Sequence, residues 1–362
     1  MPLVSAEHSS HPPRLLPRPA ERGEGRGEGR GTILRALTPL PPRATAAPVP
    51  SDVWIVVVNW NGEALLPRCL AALARLSRPA HAVVVDNGST DRSADVVAGF
   101  PSIEWLPLGR NAGFAAANNV ALRRALAACA RFIATVNPDV ELAPDWLDHL
   151  VTAADAHPEA GLFGGTLLFA DDPSRVNSTG LVLDRYGRAF DRDFQVPLAQ
   201  LCRPDGPVQG VTGGAALLRT DMLRKVGLFD PGYFAYYEDV DLSFRAAAAG
   251  FSSWYAGAAR ALHGFGKSFG ADSPRQRYLL ARNHLRFAAT HLSPWRAVPV
   301  VLGFTALRTL LRAPLDLVRG RPAHALAHWR GAAEGALEAA AAFGRKVRGG
   351  RAVPRGAEPQ RP

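Results

Sequence analysis

The sequence predicts an α/β fold in which a mixed sheet is flanked by helices and followed by a helical extension at its C-terminal side. Short β-branched runs alternate with segments of helical periodicity from residue 52 onward. Runs of this kind are typical of buried parallel strands. A hydrophobic content of 47% in 362 residues is enough for a sizeable core.

The first half of the pattern predicts a series of β-α-β units. Strands are predicted at residues 53–58, 82–85, 103–106 and 131–136. Helices are predicted at 63–76 and 114–128. Two more helices are predicted, one after the capping residues at 89–91 and one after Pro144.

The second half is more irregular. Strands are predicted at 161–169, 180–184, 213–219 and near 252–256, and helices at 220–226, 239–249 and 274–291. Two helical stretches follow, at about 296–318 and 322–344. Pro314 is expected to kink or break the first of them.

Charge separates the ends of the chain from its middle. The formal net charge of +10 divides into +3 for residues 1–50, −1 for 51–290 and +8 for 291–362. A nucleic-acid binder needs a basic face on the folded domain, so we expect no nucleic-acid partner. A basic region beside apolar helices favours an anionic membrane surface, with a plain solvated tail as the alternative.

Composition also predicts the domain boundaries. Residues 1–50 are rich in Pro, Arg and Gly and are expected to be disordered, as are residues 349–362. Residues 51–292 form the predicted main domain, and 293–348 form a helical extension on a membrane surface or on that domain.

The cysteines and the apolar runs predict the location. Cys69, Cys129 and Cys202 have no C-x-x-C spacing, which argues against a disulfide framework or a structural zinc site. No signal-peptide pattern is recognised, and no apolar run reaches the roughly 18 residues of a spanning helix. We therefore expect a cytoplasmic protein, held peripherally at the inner face of the cell membrane.

Polar residues follow several of the predicted strands. Asn59, Asp86 and Asp139 stand at strand ends, and Asn111 lies in a glycine-containing turn. In an open α/β sheet, ligands bind in the crevice beyond the carboxyl ends of the strands. Carboxylates gathered there suit a divalent metal and a phosphorylated ligand.

Four motifs in order carry a family resemblance: DNGSTD at 86–91, RNAGF at 110–114, NPD at 137–139 and EDVDLSFR at 238–245. Together they resemble the family 2 glycosyltransferases, and in particular the rhamnosyltransferase-like, non-processive members. The resemblance spans residues 52–290. It implies a GT-A fold, whose Rossmann-like sheet binds a nucleotide.

The resemblance also implies an activity. It is the inverting, metal-dependent transfer of one sugar from a nucleotide-diphosphate sugar, with dTDP-rhamnose as a candidate donor. The implied acceptor is a glycan or a lipid-linked glycan in cell-surface polysaccharide synthesis. The chain lacks the Q-x-x-R-W motif of processive synthases, which agrees with addition of a single sugar.

By the same resemblance, the donor's contacts are Asn59, Asp86, Asn111, Gly113, Asn137, Gly214 and Arg282. Taken alone, Asp86 and Asn111 could equally be turn or helix-capping residues. Arg282 could equally be a solvated arginine.

The metal assignment rests on two residues. Many family members carry D-x-D where this chain has Asn137-Pro138-Asp139, so a single carboxylate remains. Mg²⁺ binds through one or two carboxylates plus phosphates, so Asp139 still predicts a site for Mg²⁺ or Mn²⁺. His263 would complete it, as in several relatives; a polar loop histidine is the alternative. Lys267 and Ser268 are candidates for a phosphate contact.

The catalytic pair is expected at Glu238-Asp239. Inverting transfer needs a base that accepts the proton of the acceptor hydroxyl. The family places that base at the position of Asp239, and Glu238 would position the acceptor. Asp241 and Arg245 lie four residues apart on one helix and are expected to pair structurally.

Two other function classes compete with this interpretation. A sugar-phosphate nucleotidyltransferase would need a glycine-rich, basic loop after the first strand, and the sequence N-W-N-G-E at 59–63 disfavours it. A catalytically silent binding module is disfavoured by the set of Asp86, Asp139 and Asp239.

Residues 300–319 resemble an interfacial helix. Its apolar stripe consists of Val300, Phe304, Leu307, Leu311 and Leu315, and its polar flank consists of Arg308, Arg312, Asp316 and Arg319. A helix packed on the domain remains the alternative.

Overall fold

A ten-stranded mixed sheet lies at the centre of the computed structural model, which describes residues 52–266 and 272–349. The predicted disordered segments 1–50 and 349–362 lie outside the described residues, apart from Gly349. Lys267 and Ser268 lie outside them as well. The α/β class with a mixed sheet and a C-terminal helical region is confirmed.

The first half follows the predicted β-α-β order. Its elements are β1 (Val53–Asn59), α1 (Leu66–Leu73), β2 (His81–Asp86), α2 (Ser93–Ala98), β3 (Glu104–Pro107), α3 (Phe114–Ala127), β4 (Phe132–Val136), β5 (Val140–Leu142) and α4 (Trp146–Ala156). Strands β4, β1, β2 and β3 are parallel neighbours in that order. Their carboxyl ends therefore meet at one edge of the sheet.

The second half adds the strands β6 (Ala160–Phe169), β7 (Val176–Ser178), β8 (Leu181–Leu183), β9 (Ala189–Asp191), β10 (Gly206–Val208), β11 (Ala215–Arg219) and β12 (Ser252–His263). Strand β11 runs antiparallel between β4 and β6, and β12 runs parallel to β6. Strands β8 and β9 form a separate hairpin. The helices are α5 (Thr220–Val226), α6 (Glu238–Ala248), α7 (Pro274–His291), α8 (Pro294–Ala306), α9 (Ala313–Val318) and α10 (Pro322–Gly349).

Strand β1 shows how the sequence builds two layers around the sheet. All seven of its residues are buried, and successive side chains point to opposite faces. Val53, Ile55 and Val57 pack with residues of α1 and α4. Trp54 and Val56, with Val58, pack with residues of α3, α5 and α6. The strand is therefore covered on both faces, as expected for a parallel sheet.

Several strands differ from the prediction: the short strands β7, β9 and β10 were not predicted, and two further differences affect the site. Strand β12 was expected near 252–256 but continues to His263, with a register shift between Tyr255 and Arg260. The three-residue strand β5 was not predicted, and it pairs with the end of β12. The pairing places His263 opposite Val140, so His263 ends a strand and does not lie in a loop.

Pro314 does not end its helix. Residues 307–312 form a π-helical segment that joins α8 to α9, and Pro314 lies in the first turn of α9. Proline lacks the amide hydrogen and collides with the carbonyl four residues earlier in an α-helix. The wider turn just before Pro314 provides the alternative backbone pairing.

Helix α10 packs closely along α7. A Cβ atom added at Gly331 would lie 2.6 Å from the carbonyl oxygen of Tyr278, and one at Gly335 would lie 2.9 Å from that of Arg282. Small residues therefore allow the two backbones to approach. Glu338 on α10 binds guanidinium groups of α7.

The predicted polar flank of the 300–319 helix is partly buried. Arg308 donates to the carbonyl of Ala281 and contacts His284 on α7, and Asp316 is 4% exposed. The helix is therefore packed on the domain through residues that were expected to face solvent. Of the predicted apolar stripe, Leu307 and Leu311 are exposed while Val300 is buried, and Leu302, Leu310, Leu317 and Val318 are exposed as well.

The expectation that no segment is long enough to span a membrane was wrong. The continuous helix Pro294–Val318 has 25 residues, and its most apolar window has a mean hydropathy of 1.3. Only 17% of that window is buried. By length and composition it is apolar enough to cross a bilayer; its polar contacts with α7 favour packing on the domain.

Candidate active site

A cavity of about 560 Å³ lies at the strand-end edge of the sheet. Six residues predicted for the site line it: Asn137, Asp139, Gly214, Glu238, Asp239 and His263. Sequence reasoning missed other lining residues, among them Trp60, Asn87, Asn177, Asp191 and Gln276. The cavity therefore joins the NPD turn, the start of α6 and the end of β12.

Asp139 and His263 face each other across the β5–β12 pairing. The distance from His263 Nε2 to Asp139 Oδ1 is 3.6 Å. Asp139 Oδ1 is buried and has no hydrogen-bond partner among the described residues. Burial lowers the pKa of His263, and the Asp139 charge opposes that shift.

Asn177 sets the tautomer of His263. Its Oδ1 lies 2.7 Å from Nδ1 of the ring, so Nδ1 carries the hydrogen, and in the neutral imidazole Nε2 presents its lone pair to Asp139. Two acceptors that face each other need a cation or a proton between them. Metal-ligating histidines are commonly oriented in this way by an acceptor on the other ring nitrogen.

The Asp139–His263 pair fits a divalent cation that it would share with a ligand. Among the described residues no group of three His, Cys, Asp or Glu side chains could enclose a metal. Mg²⁺ keeps several waters and binds through few protein carboxylates together with substrate phosphates. The two protein groups therefore suit a metal whose remaining ligands are phosphate oxygens and water.

Asn137 lies against the start of β11. Its backbone amide donates to the carbonyl of Gly214 at 2.8 Å. A Cβ atom at Gly214 would lie 2.9 Å from Asn137 Nδ2, so glycine permits the close approach of this turn to the cavity. Both residues line the cavity, as predicted.

The Glu238-Asp239 pair begins helix α6. Asp239 Oδ2 accepts from the amide of Gly213 at 2.9 Å, and Oδ1 accepts from that of Val240 at 2.8 Å. Burial raises the pKa of Asp239, although these backbone hydrogen bonds oppose the shift. Burial and the neighbouring Asp239 raise the pKa of Glu238 well above its usual value. Asp239 is thus both oriented and more basic than a solvated carboxylate.

The aromatic loop before α6 has a strained backbone. Phe234, Tyr236 and Tyr237 have φ values of 65°, 67° and 74°. Left-handed conformations are uncommon for bulky residues and persist where surrounding contacts impose them. Here Asn283 Nδ2 on α7 donates toward the carbonyl oxygens of Tyr233, Ala235 and Tyr236 at 2.7–2.9 Å. The buried Asn283 amide therefore holds the loop that delivers Glu238 and Asp239.

Asp191, at the end of β9, brings a further carboxylate to the cavity. Burial raises its pKa to about 6, and the Asp239 charge adds to that shift while Ser178 opposes it. Asp191 was not predicted, because the β8–β9 hairpin has no strand-end motif and lies outside the main sheet.

Four predicted donor contacts lie behind the cavity. Asn59 donates to Ser89 Oγ at 3.1 Å, and Asp86 accepts from the amide of Ser89. Asn111 Oδ1 accepts from Asn87 Nδ2 and from the amide of Gly113. The four residues do not line the cavity themselves, but their neighbours Trp60, Asn87 and Phe114 do. The predicted residues Asn59, Asp86, Asn111 and Gly113 thus shape the turns at the same sheet edge.

The structure does not place Arg282 near a donor diphosphate. Its guanidinium donates to Glu338 on α10 and to the carbonyl of Gly232. Its side chain is 13% exposed and is absent from the described residues that line the cavity. Arg282 therefore joins α7 to α10, and its contact with a donor diphosphate stays a prediction. The expected pair of Asp241 and Arg245 is confirmed at 2.8 Å.

Comparison with known proteins shows the family of the chain. The sequence model described as "Glycosyl transferase family 2" matches residues 54–227. The N-acetylglucosaminyl-diphospho-decaprenol L-rhamnosyltransferase of Mycobacterium tuberculosis is 30% identical over 290 residues, which cover 74% of this chain and 94% of that protein.

The chain belongs to glycosyl transferase family 2. It is a rhamnosyltransferase-like glycosyltransferase, not a sugar-phosphate nucleotidyltransferase. Rhamnosyltransferase WbbL of Escherichia coli is 24% identical over 221 residues, covering 58% of this chain and 83% of that protein.

Solved structures agree on the fold. GalNAc-T7, solved with UDP, GalNAc and Mn²⁺, superposes with a TM-score of 0.54 at 13% sequence identity. The match covers 76% of this chain and 54% of that chain. The fold of this family 2 member is the GT-A fold.

Proposed function

We propose that this enzyme is an inverting, metal-dependent glycosyltransferase that adds one sugar to a lipid-linked acceptor in cell-surface polysaccharide synthesis. The observation that carries the proposal is that one cavity is lined both by Asp139 with His263 and by Glu238 with Asp239. The proposed metal-and-phosphate site and the proposed base would thus border the same cavity. The name of the M. tuberculosis relative, with its diphospho-decaprenol acceptor and L-rhamnosyl product, supports dTDP-rhamnose as donor.

In the proposed reaction, Asp239 accepts the proton of the acceptor hydroxyl as that oxygen attacks the anomeric carbon. The bond from that carbon to the diphosphate oxygen breaks on the opposite face. The amides of Gly213 and Val240 hold the carboxylate in place, and its burial favours proton acceptance. Glu238, whose Oε2 has no hydrogen-bond partner among the described residues, orients the acceptor.

The donor diphosphate is proposed to lie at Asp139 and His263. A bound Mg²⁺ or Mn²⁺ there would neutralise the charge that develops on the leaving diphosphate. Asp139 and His263 would hold it, and Asn177 would orient the imidazole. Asn137 and Asn87 line the same cavity and are placed to contact the donor.

The enzyme is further proposed to work at the inner face of the cell membrane. Leu302, Leu310 and Val318 on the outward side of α8 and α9 are 66%, 78% and 86% exposed. Together with the net charge of +8 over residues 291–362, they suit an anionic bilayer surface. A lipid-linked acceptor would be confined to the same surface.

A donor panel tests the proposal. The full chain is incubated with dTDP-rhamnose, UDP-GlcNAc, UDP-galactose or GDP-mannose and a prenyl-diphosphate-linked GlcNAc acceptor. Release of nucleotide diphosphate is measured with Mg²⁺, with Mn²⁺ and with excess chelator. We expect one donor to be consumed, only with metal, and a product of inverted anomeric configuration by NMR. A retained configuration, or equal turnover in chelator, would contradict the proposal.

A further inference from the structure

A second cavity, of about 370 Å³, lies between α8 and the turn of the β8–β9 hairpin. Its apolar wall is formed by one face of the helix, with Pro299, Val300, Gly303, Phe304 and Leu307. Tyr186 closes it from the hairpin side, with its ring centroid 5.7 Å from that of Phe304. Trp295, 73% exposed, lies at its open end. We call this cavity the prenyl groove.

The rim of the prenyl groove is basic. Arg185 and Arg296 both line it, and Arg296 donates to the backbone carbonyl of Arg185 at 3.3 Å. Neither guanidinium pairs with a carboxylate among the residues the structure describes. The neighbouring Asp184 is already engaged by Arg188 at 2.6 Å. Two arginines without counter-charges thus border an apolar cavity, which suits an anionic group joined to an apolar chain.

The hairpin connects this groove to the active site. Its turn contributes Arg185 and Tyr186 to the groove, and its second strand contributes Phe190 and Asp191 to the catalytic cavity. The backbone from Tyr186 to Asp191 spans at most about 17 Å. Within this segment, the Arg188 guanidinium lies 5.2 Å from the Phe190 ring centroid. The groove and the catalytic cavity are therefore linked by a short stretch of one hairpin.

We propose that the prenyl groove binds the first isoprene units of the acceptor lipid, that Arg185 and Arg296 bind its diphosphate, and that its sugar enters the catalytic cavity beside Asp191. This inference rests on the proposed function. A prenyl-diphosphate sugar has an apolar chain, an anionic linker and a hydroxylated ring in this order. The apolar groove, the basic rim and the acidic cavity each match one of these parts, and the hairpin contributes residues to all three.

Photolabelling without any donor tests the site. The full chain is irradiated with a benzophenone-bearing farnesyl diphosphate, and labelled peptides are mapped by mass spectrometry. We expect labelling in residues 294–307 and at the hairpin turn. In Gly303→Phe labelling should fall about tenfold, the scale expected when a few carbons of an apolar chain lose their burial.

The matched control is Gly206→Phe. A Cβ atom at either glycine meets nothing within 4 Å, so both variants should fold, but Gly206 lines neither cavity. Arg185→Gln combined with Arg296→Gln should also weaken labelling, and should bring it to the level of a benzophenone-bearing farnesyl ether without diphosphate. Labelling that is unchanged in Gly303→Phe would overturn the proposal. Labelling confined to outward residues such as Leu310 and Val318 would mean adsorption to an exposed surface and would also overturn it.

Two further outcomes are decisive. A dimer in size-exclusion chromatography that Gly303→Phe dissociates would mean that a second copy covers the groove, against the proposal. If labelling behaves as expected but no donor supports transfer, the groove is a lipid-binding site and the proposed function is wrong. If transfer to the lipid acceptor proceeds with a KM that Gly303→Phe does not raise, the proposed function stands and the groove assignment fails.

Discussion

His263 Nε2 lies 3.6 Å from Asp139 Oδ1, and Asn177 turns the lone pair of that nitrogen toward the carboxylate. This pair was predicted from two distant motifs, and the β5–β12 pairing explains how they meet. Asp139 belongs to a turn just before β5, and His263 is the last residue of β12.

If the pair holds the metal, changes to it should act through metal affinity. His263→Gln should raise the Mg²⁺ concentration for half-maximal transfer by about tenfold or more, and Asp139→Ala should remove activity at any Mg²⁺ concentration. The measurement is a metal titration of nucleotide diphosphate release. His149→Gln, on the exposed side of α4, is the control and should titrate like the wild type. An unchanged titration in His263→Gln would make this histidine a structural residue.

Asn283 should affect catalysis through the loop that carries Glu238 and Asp239. Asn283→Ala removes contacts to three carbonyl oxygens that hold the left-handed backbone at Tyr236 and its neighbours. Each lost hydrogen bond costs about 1 kcal/mol, so a lower Tm is expected. At a temperature where the variant is folded, kcat should still fall at least about tenfold, because the base loses its position. Normal kcat alongside a lower Tm would limit Asn283 to a structural role.

Asp191 should make stability depend on pH. Its pKa is raised to about 6 from an ordinary 3.8, so the native state holds this proton more tightly than the unfolded state does. Its contribution to stability is therefore present at low pH and is lost as the pH rises from about 4 through about 6. Asp191→Asn should be more stable than the wild type at pH 7, by up to about 3 kcal/mol, and should lose less stability over that range.

Urea denaturation at pH 4.5 and pH 7 measures this difference. The exposed Asp95→Asn, on α2, is the control and should shift both values equally. An Asp191→Asn variant that parallels the wild type at both pH values would show that the carboxyl is not protonated preferentially in the fold.

The outward face of α8 and α9 should control membrane binding. Leu310→Ser with Val318→Ser removes two of the most exposed apolar side chains and leaves the prenyl groove and the catalytic cavity unchanged. Sedimentation with anionic liposomes should fall several-fold, and high salt should reduce binding of the wild type. Donor turnover with a short soluble acceptor should be unaffected. Equal sedimentation of the variant and the wild type would place the membrane contact elsewhere.

The first half of the fold could be read from the sequence because its signals are local. The β-branched run at Val53–Asn59 alternates between two faces, and each face meets a helix with its own apolar stripe. Strand-end motifs such as NPD then follow from the geometry of parallel strands. The mixed sheet and the Glu238-Asp239 helix start were predictable in the same way.

The features that could not be predicted from the sequence depend on contacts between residues distant in sequence. The three-residue β5 has no pattern of its own and exists because β12 pairs with it. Asp191 reaches the cavity through a hairpin outside the main sheet. The ion pair of Arg282 with Glu338 on α10 was not predicted, because the sequence of α7 does not show which residues pack against it. Burial of Arg308 and Asp316 was likewise invisible to helical periodicity.

Asp239 is proposed as the base of an inverting sugar transfer, and the Asp239→Asn substitution decides whether it is. The asparagine keeps one acceptor for the two backbone amides at Gly213 and Val240, so its Tm is recorded alongside. Single-turnover transfer should fall by about 10²–10⁴, while the Kd of the donor, measured by calorimetry with metal present, should change little. Near-normal transfer by a folded Asp239→Asn enzyme would show that Asp239 is not the base.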